Sequence, residues 1–168
     1  HVVQELPEVE TEAGLSPEAP HGGRYSLRMV CRPQQGQYTP RLVESSPAWV
    51  TTAPVSVEPG QWVRIRGWVR IPSPLTGSVD GLMVYDSEAG RSLASRFGAT
   101  NGWEQFTMYR GASRSGQIHL TFELTGLGEV WIDDVTIEPM APQVPSSTPT
   151  FGPPPIDSAA MGRRLLQQ

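Results

Sequence analysis

Between Trp62 and Ile71 the chain alternates strictly: Val63, Ile65, Val69 and Ile71 fall on one parity, while Trp62, Arg64, Arg66, Trp68 and Arg70 fall on the other. A period of two belongs to a β-strand, whose successive side chains point to opposite faces; a helix would scatter those four aliphatic residues around its circumference. The pattern returns in Ile118, Leu120, Phe122 and Leu124, with His119, Thr121 and Glu123 opposite. The aliphatic parities predict core, and the opposite parities predict faces turned to solvent, a ligand or a neighbour.

The rest of the chain agrees with an all-β reading. Runs of five to ten residues rich in Val, Ile, Trp, Tyr and Thr are separated by Gly, Pro, Asn and Ser, and helical periodicity is scarce. The predicted strands are Tyr25 to Cys31, Arg41 to Val43, Ala48 to Val50, Trp62 to Ile71, Gly81 to Asp86, Glu104 to Arg110, Gln117 to Leu124 and Val130 to Glu138. Short strands at regular spacing favour an antiparallel sandwich. Glu58-Pro59-Gly60 and Asn101-Gly102 read as turns, and Gly126-Leu127-Gly128 as a hairpin joining the last two strands. The acidic opening segment predicts one frayed strand, Val9 to Ala13, or none.

A β-sandwich is therefore expected over residues 1–140. Residues 141–168, with Pro142, Pro145, Pro149 and Pro153 to Pro155 among Ser and Thr, read as a disordered linker or tail that cannot build a core. The chain opens on His1, as a fragment of a larger protein would. A formal charge of −4 lacks the footprint of a nucleic-acid binder. No apolar run reaches the roughly 20 residues of a membrane-spanning helix, so direct membrane insertion is not expected. The one cysteine, Cys31, cannot form an internal disulfide and sits in an apolar run, as a buried small hydrophobe would.

Catalytic constellations are missing from the sequence. No nucleophile elbow, phosphate-binding loop or paired-histidine zinc motif occurs, and His1, His21 and His119 lie far apart. An enzyme is the least favoured class. Asp133-Asp134 interrupts the strand Trp131-Ile132-x-x-Val135-x-Ile137, so simple alternation turns one Asp inward. A buried carboxylate needs a partner, and two readings stand equal: a Ca²⁺ ligand, or a carboxylate capping loop amides. Five Trp residues, with Tyr85 and Tyr109, offer flat surfaces of the kind on which sugar rings stack, although such rings are also ordinary core material. Trp62, Trp68, Arg64 and Arg66 share the charged parity of their strand and, with Tyr85, are the candidate ligand-binding residues. Their indoles are expected between guanidinium planes.

Four segments in order resemble the galactose-binding-like jelly-roll sandwiches that include many carbohydrate-binding modules. They are His21-Gly22-Gly23-Arg24-Tyr25-Ser26-Leu27, Val57-Glu58-Pro59-Gly60-Gln61-Trp62-Val63-Arg64-Ile65, Gly102-Trp103-Glu104-Gln105-Phe106 and Val130-Trp131-Ile132-Asp133-Asp134-Val135. The resemblance covers about Pro20 to Glu138 and implies a jelly-roll topology. It implies a structural Ca²⁺ held by Asp133 and by backbone oxygens of the Gly22-Gly23 loop, while the family's acidic opening-strand motif is not visible here. It also implies a non-catalytic module that binds polysaccharide or another glycan, from a larger protein that is extracellular or in the cell envelope. The alternative is a structural or protein-interaction sandwich without sugar affinity, its Trp and Arg face packed on a neighbouring domain.

Overall fold

The computed structural model describes residues 2–3, 6, 8–35, 39–43, 45–112 and 116–140. Among the described residues twelve strands form: β1 (Val2–Val3), β2 (Val9–Ser16), β3 (Ser26–Pro33), β4 (Ala48–Thr51), β5 (Val55–Ser56), β6 (Trp62–Arg70), β7 (Leu82–Asp86), β8 (Ser95–Phe97), β9 (Trp103–Gly111), β10 (Gln117–Ile118), β11 (Leu120–Leu124) and β12 (Gly128–Pro139). A 3₁₀ turn, Gly90–Leu93, separates β7 from β8. One five-stranded sheet runs β1-β4-β11-β7-β8, a second runs β2-β3-β12-β6-β9, and β10 pairs with β5 at the side. Every pairing between these strands is antiparallel.

The two large sheets meet through the aliphatic parities. Val63, Ile65 and Val69 of β6 and Ile118, Leu120 and Leu124 are wholly buried, and Phe122 nearly so. The Phe122 ring meets Phe106 of the opposite sheet with centroids 6.5 Å apart. Val130 and Ile132 of β12 also point inward, and so do Val135 and Ile137. The inward parity therefore changes along β12. A bulge makes the change: Asp133 pairs with Trp68 and Thr136 with Arg66, so two residues of β12 oppose one of β6, and Asp134 takes φ 49°. Because of that extra residue neither Asp points into the core; Asp133 is half-buried and Asp134 exposed.

Other local expectations also need correction. Residues 41–43 make no strand: Val43 donates one backbone hydrogen bond to Gly77, and Leu42 is exposed. Pro40 and Pro47 bracket that segment and deny it a continuous ladder. The opening strand, far from frayed, is β2, paired along its whole length with β3. Its sequence carries little alternation because it is a sheet edge held by backbone pairing more than by buried side chains. Gly126-Leu127-Gly128 is no hairpin, since β11 and β12 belong to different sheets. Leu127 bridges Thr76 instead, and its glycine neighbours allow a close approach: a Cβ on Gly126 would stand 2.5 Å from the Thr76 carbonyl oxygen. The Pro-rich segment 141–168 lies outside the described residues.

Cys31 is buried, and that burial pushes its thiol pKa up to about 11.

Candidate functional site

The outward faces of the two sheets differ in character. On the β1-β4-β11-β7-β8 sheet, the registers Glu123 with Trp49 and Met83, and Thr121 with Thr51 and Tyr85, set these six side chains on the face away from the core. Side chains on such a face ordinarily meet water. Yet Met83, Thr121 and Glu123 are buried, Glu123 to 1 %.

Glu123 is buried by groups that converge on its carboxylate from both flanking strands. Tyr85 donates its hydroxyl to Oε2 at 2.9 Å, and Arg91 donates Nε to Oε2 at 2.9 Å and Nη2 to Oε1. Ser46, in the segment leading into β4, donates to Oε1. Desolvation pushes the Tyr85 phenol above its ordinary pKa, so it remains a donor. Arg91 lies on the 3₁₀ turn, which Arg96 of β8 braces: its Nη1 donates to Ala94 O, its Nη2 to Arg91 O, and its Nε to Asp80 Oδ1 at 2.7 Å. The Arg91 side chain stays 64 % exposed. Beside this hub Thr51 and Thr121 share a hydroxyl hydrogen bond of 3.1 Å, and Trp49 is half-buried.

A rigid polar floor with an aromatic ring on each flanking strand and outward-facing N–H donors is suited to holding a hydroxylated ligand. It is poorly suited to acid–base chemistry, because both oxygens of Glu123 are already taken by donors.

Four of the five predicted ligand residues lie on the other sheet, and only Tyr85 falls in this hub. Trp62, Arg64, Arg66 and Trp68 of β6 face outward opposite the core, as parity requires, and Trp62 is 59 % exposed. Trp68 is covered: the His21 imidazole stacks on it at 4.2 Å and 21°, and His21 also meets Trp103 edge-on at 5.4 Å. The expected guanidinium stacking occurs elsewhere, with Arg28 over Trp131 at 5.4 Å. Arg64 and Arg66 instead share Glu138, at 2.6 and 2.7 Å.

The His21 loop also packs against the Asp pair. Asp133 Oδ2 accepts the backbone N–H groups of His21 (2.7 Å) and Gly22 (3.0 Å), and Oδ1 accepts the N–H of Asp134 (2.7 Å). Asp134 Oδ2 meets His21 Nδ1 at 2.7 Å. Gly22 is needed for closeness, since a Cβ there would stand 2.7 Å from Asp134 Oδ1, and Gly23 for its φ of 62°. Calcium takes about six to eight oxygen ligands. Here the His21 and Gly22 N–H groups turn toward Asp133, and among the described residues no three His, Cys, Asp or Glu side chains converge as a metal site. The described contacts of Asp133 are those of a carboxylate capping loop amides.

Chelation with EDTA is accordingly expected to leave the thermal midpoint unchanged. Asp133→Ala, which strands the loop amides, should cost about 1–3 kcal/mol. A midpoint that falls on chelation, measured by circular dichroism, would restore the metal.

Solved structures share this sandwich. A CBM4 module aligns over 76 % of this chain and 78 % of its own, with a TM-score of 0.51 and 13 % identity. TmCBM61, solved in complex with β-1,4-galactotriose, aligns over 81 % of this chain and 91 % of its own, with a TM-score of 0.51 and 12 % identity. At these identities the likeness is one of fold: this chain shares the β-sandwich of those modules. The enzymatically active domain of tailspike protein 4 from bacteriophage CBA120 also aligns, over 83 % of this chain but 18 % of its own, with a TM-score of 0.51 and 10 % identity. In that larger protein the likeness is to one sandwich-sized piece. No protein-family model matches the sequence, and no curated protein does.

The sequence reasoning missed Glu123, Arg91, Ser46 and Trp49. No local signal marked the burial of Glu123, which falls with Thr121 on the polar parity of its strand.

Proposed function

We propose that this domain is a non-catalytic polysaccharide-binding module from a larger exported protein, and that its ligand lies along the outer face of the β1-β4-β11-β7-β8 sheet. The observation that carries the reading is the burial of Glu123 on a face that alternation turns outward. Hydrogen bonds from Ser46, Tyr85 and Arg91 are organised there around one carboxylate, and the product of that organisation is an exposed guanidinium held in a fixed orientation on the same face as Trp49 and Tyr85. Sugar rings stack through their C–H faces on the two aromatic residues, and Arg91 donates to hydroxyl oxygens.

The charges of this face pair off, Glu123 with Arg91 and Asp80 with Arg96. The ligand is therefore a neutral glycan. Titration of the purified domain against soluble β-glucan, xylan and galactan oligosaccharides, followed by calorimetry, tests the reading. Binding of one of them is expected, and Trp49→Ala should weaken it by roughly tenfold or more, equivalent to about 1.4 kcal/mol. The thermal midpoint should barely move. Indifference to every neutral oligosaccharide would leave the protein-interaction alternative in possession of this face.

A further inference from the structure

The opposite outer face carries a second aromatic platform that the proposed function does not use. Trp62 pairs with Gly111 across β6 and β9, and Tyr109 pairs with Arg64, so Trp62 and Tyr109 are diagonal neighbours on one face. Gly111 offers no side chain under the indole: a Cβ there would stand 4.0 Å from Trp62 Cε2. The indole thus stands beside Gly111 with no side chain between them, and the two aromatic residues are 59 % and 51 % exposed. Large rings left in water on a strand are the informative exception to ordinary packing.

The polar groups beside this platform carry a net positive charge. Arg64 and Arg66 share the single carboxylate of Glu138, which they hold below the ordinary glutamate pKa, so two cations face one anion. Arg66 Nε is buried and has no hydrogen-bond partner among the described residues. Each guanidinium spends one nitrogen on Glu138, and Arg64 is 40 % exposed. Beside them lies a depression of about 280 Å³, lined by Arg64, Tyr109, Glu138, Pro139 and Met140. That is at the small end of ligand pockets, which run roughly 300–1,000 Å³, and it suits one residue of a longer chain more than a whole small molecule.

We propose that Trp62, Tyr109 and Arg64 form a second glycan-binding surface, selective for a uronate-bearing polysaccharide whose ring stacks on Trp62 and whose carboxylate is taken by the Arg64 guanidinium. Arginine suits this role because its planar fork matches a carboxylate. The two surfaces lie on opposite outer faces of the sandwich, so a domain occupied at both ties a neutral chain to an acidic one. Trp68, under His21, plays no part in this platform.

The probe is an oligogalacturonate titrated calorimetrically into the full chain. Binding is expected to weaken as salt rises, and to drop at least roughly tenfold when the carboxylates are reduced to alcohols. Trp62→Ala and Arg64→Gln should each cause a comparable loss without shifting the thermal midpoint, because both side chains reach into water. Trp49→Ala, on the far sheet, should leave oligogalacturonate binding as it was. No binding of the oligomer, or binding that survives Trp62→Ala, overturns the proposal. Equal affinity for the reduced oligomer overturns its acidic selectivity, and equal affinity for polyglutamate overturns its sugar specificity. Loss in Trp49→Ala alone would move the site to the Trp49 face. Failure of neutral oligosaccharides to bind would count against the Trp49 face and leave this surface standing.

Discussion

Glu123→Ala is expected to abolish glycan binding on the outer face of the β1-β4-β11-β7-β8 sheet and to lower stability by about 2–3 kcal/mol. The substitution removes one acceptor from several hydrogen bonds at once, those of Ser46, Tyr85 and the two from Arg91. Hydrogen bonds to a charged group contribute about 1.5–3 kcal/mol, and donors left without an acceptor carry their desolvation cost. The sum is held down because Arg91 is 64 % exposed and returns to water when released, so its ion pair is discounted for screening. Binding suffers more than stability. A freed guanidinium samples many rotamers and must be ordered again by the ligand, a cost the folded hub has already met.

Arg91→Ala separates the two effects, since it removes the outward donor but leaves Glu123 with Tyr85 and Ser46. It should reproduce most of the binding loss with a smaller fall in the urea midpoint. A variant lacking Arg91 that binds glycan as the parent does would reduce the hub to a structural device.

Alternation with a period of two tells which residues share a face of a strand, and that much was legible from residues 62–71 and 118–124. The core parities of β6 and β11 follow directly from it. Burial on an outward face is a different matter, because it depends on what lies above the sheet. Glu123 is covered by Ser46, 77 positions away, and by Arg91, 32 positions away, and nothing in the neighbouring residues of β11 encodes either approach. The inward ring of Phe122 is the predictable part of that strand, while the cover over the carboxylate beside it is not.

The spacing of Val130 and Ile132 against Val135 and Ile137 did encode the bulge, as a switch from even to odd inward positions. Read as unbroken alternation it forces an Asp inward; read as a phase change it releases both carboxylates to the surface. Trp62 and Trp68 show the limit from another side. They share a parity and a strand, yet the loop carrying His21 covers one and leaves the other open.

The largest loss of stability is expected from Asp86→Ala, at about 3–5 kcal/mol. Asp86 ends β7 on the inward parity and is fully buried, and Arg110 reaches it from β9 of the opposite sheet, with Nε donating to Oδ2 at 2.6 Å. The pair ties the two sheets together through the core. Oδ1 is occupied as well, accepting the backbone N–H groups of Glu88 and Ala89 at 3.0 Å each, so the same carboxylate shapes the turn that leads to Arg91. Removing one partner of a buried ion pair leaves the other charge uncompensated, and Arg110, only 17 % exposed, cannot turn freely to water. Asp86→Asn keeps an acceptor for the turn and loses only the charge, so it should cost less than the alanine. Combining it with Arg110→Met removes both charges and should recover much of the loss, because buried ion pairs are often replaceable by apolar groups of similar volume. Urea denaturation of the three variants checks the order: Asp86→Ala lowest, Asp86→Asn intermediate, the double variant nearest the parent. Equal midpoints for Asp86→Asn and the double variant would mean that Arg110 is not stranded, and that capping of the turn is the whole contribution of Asp86.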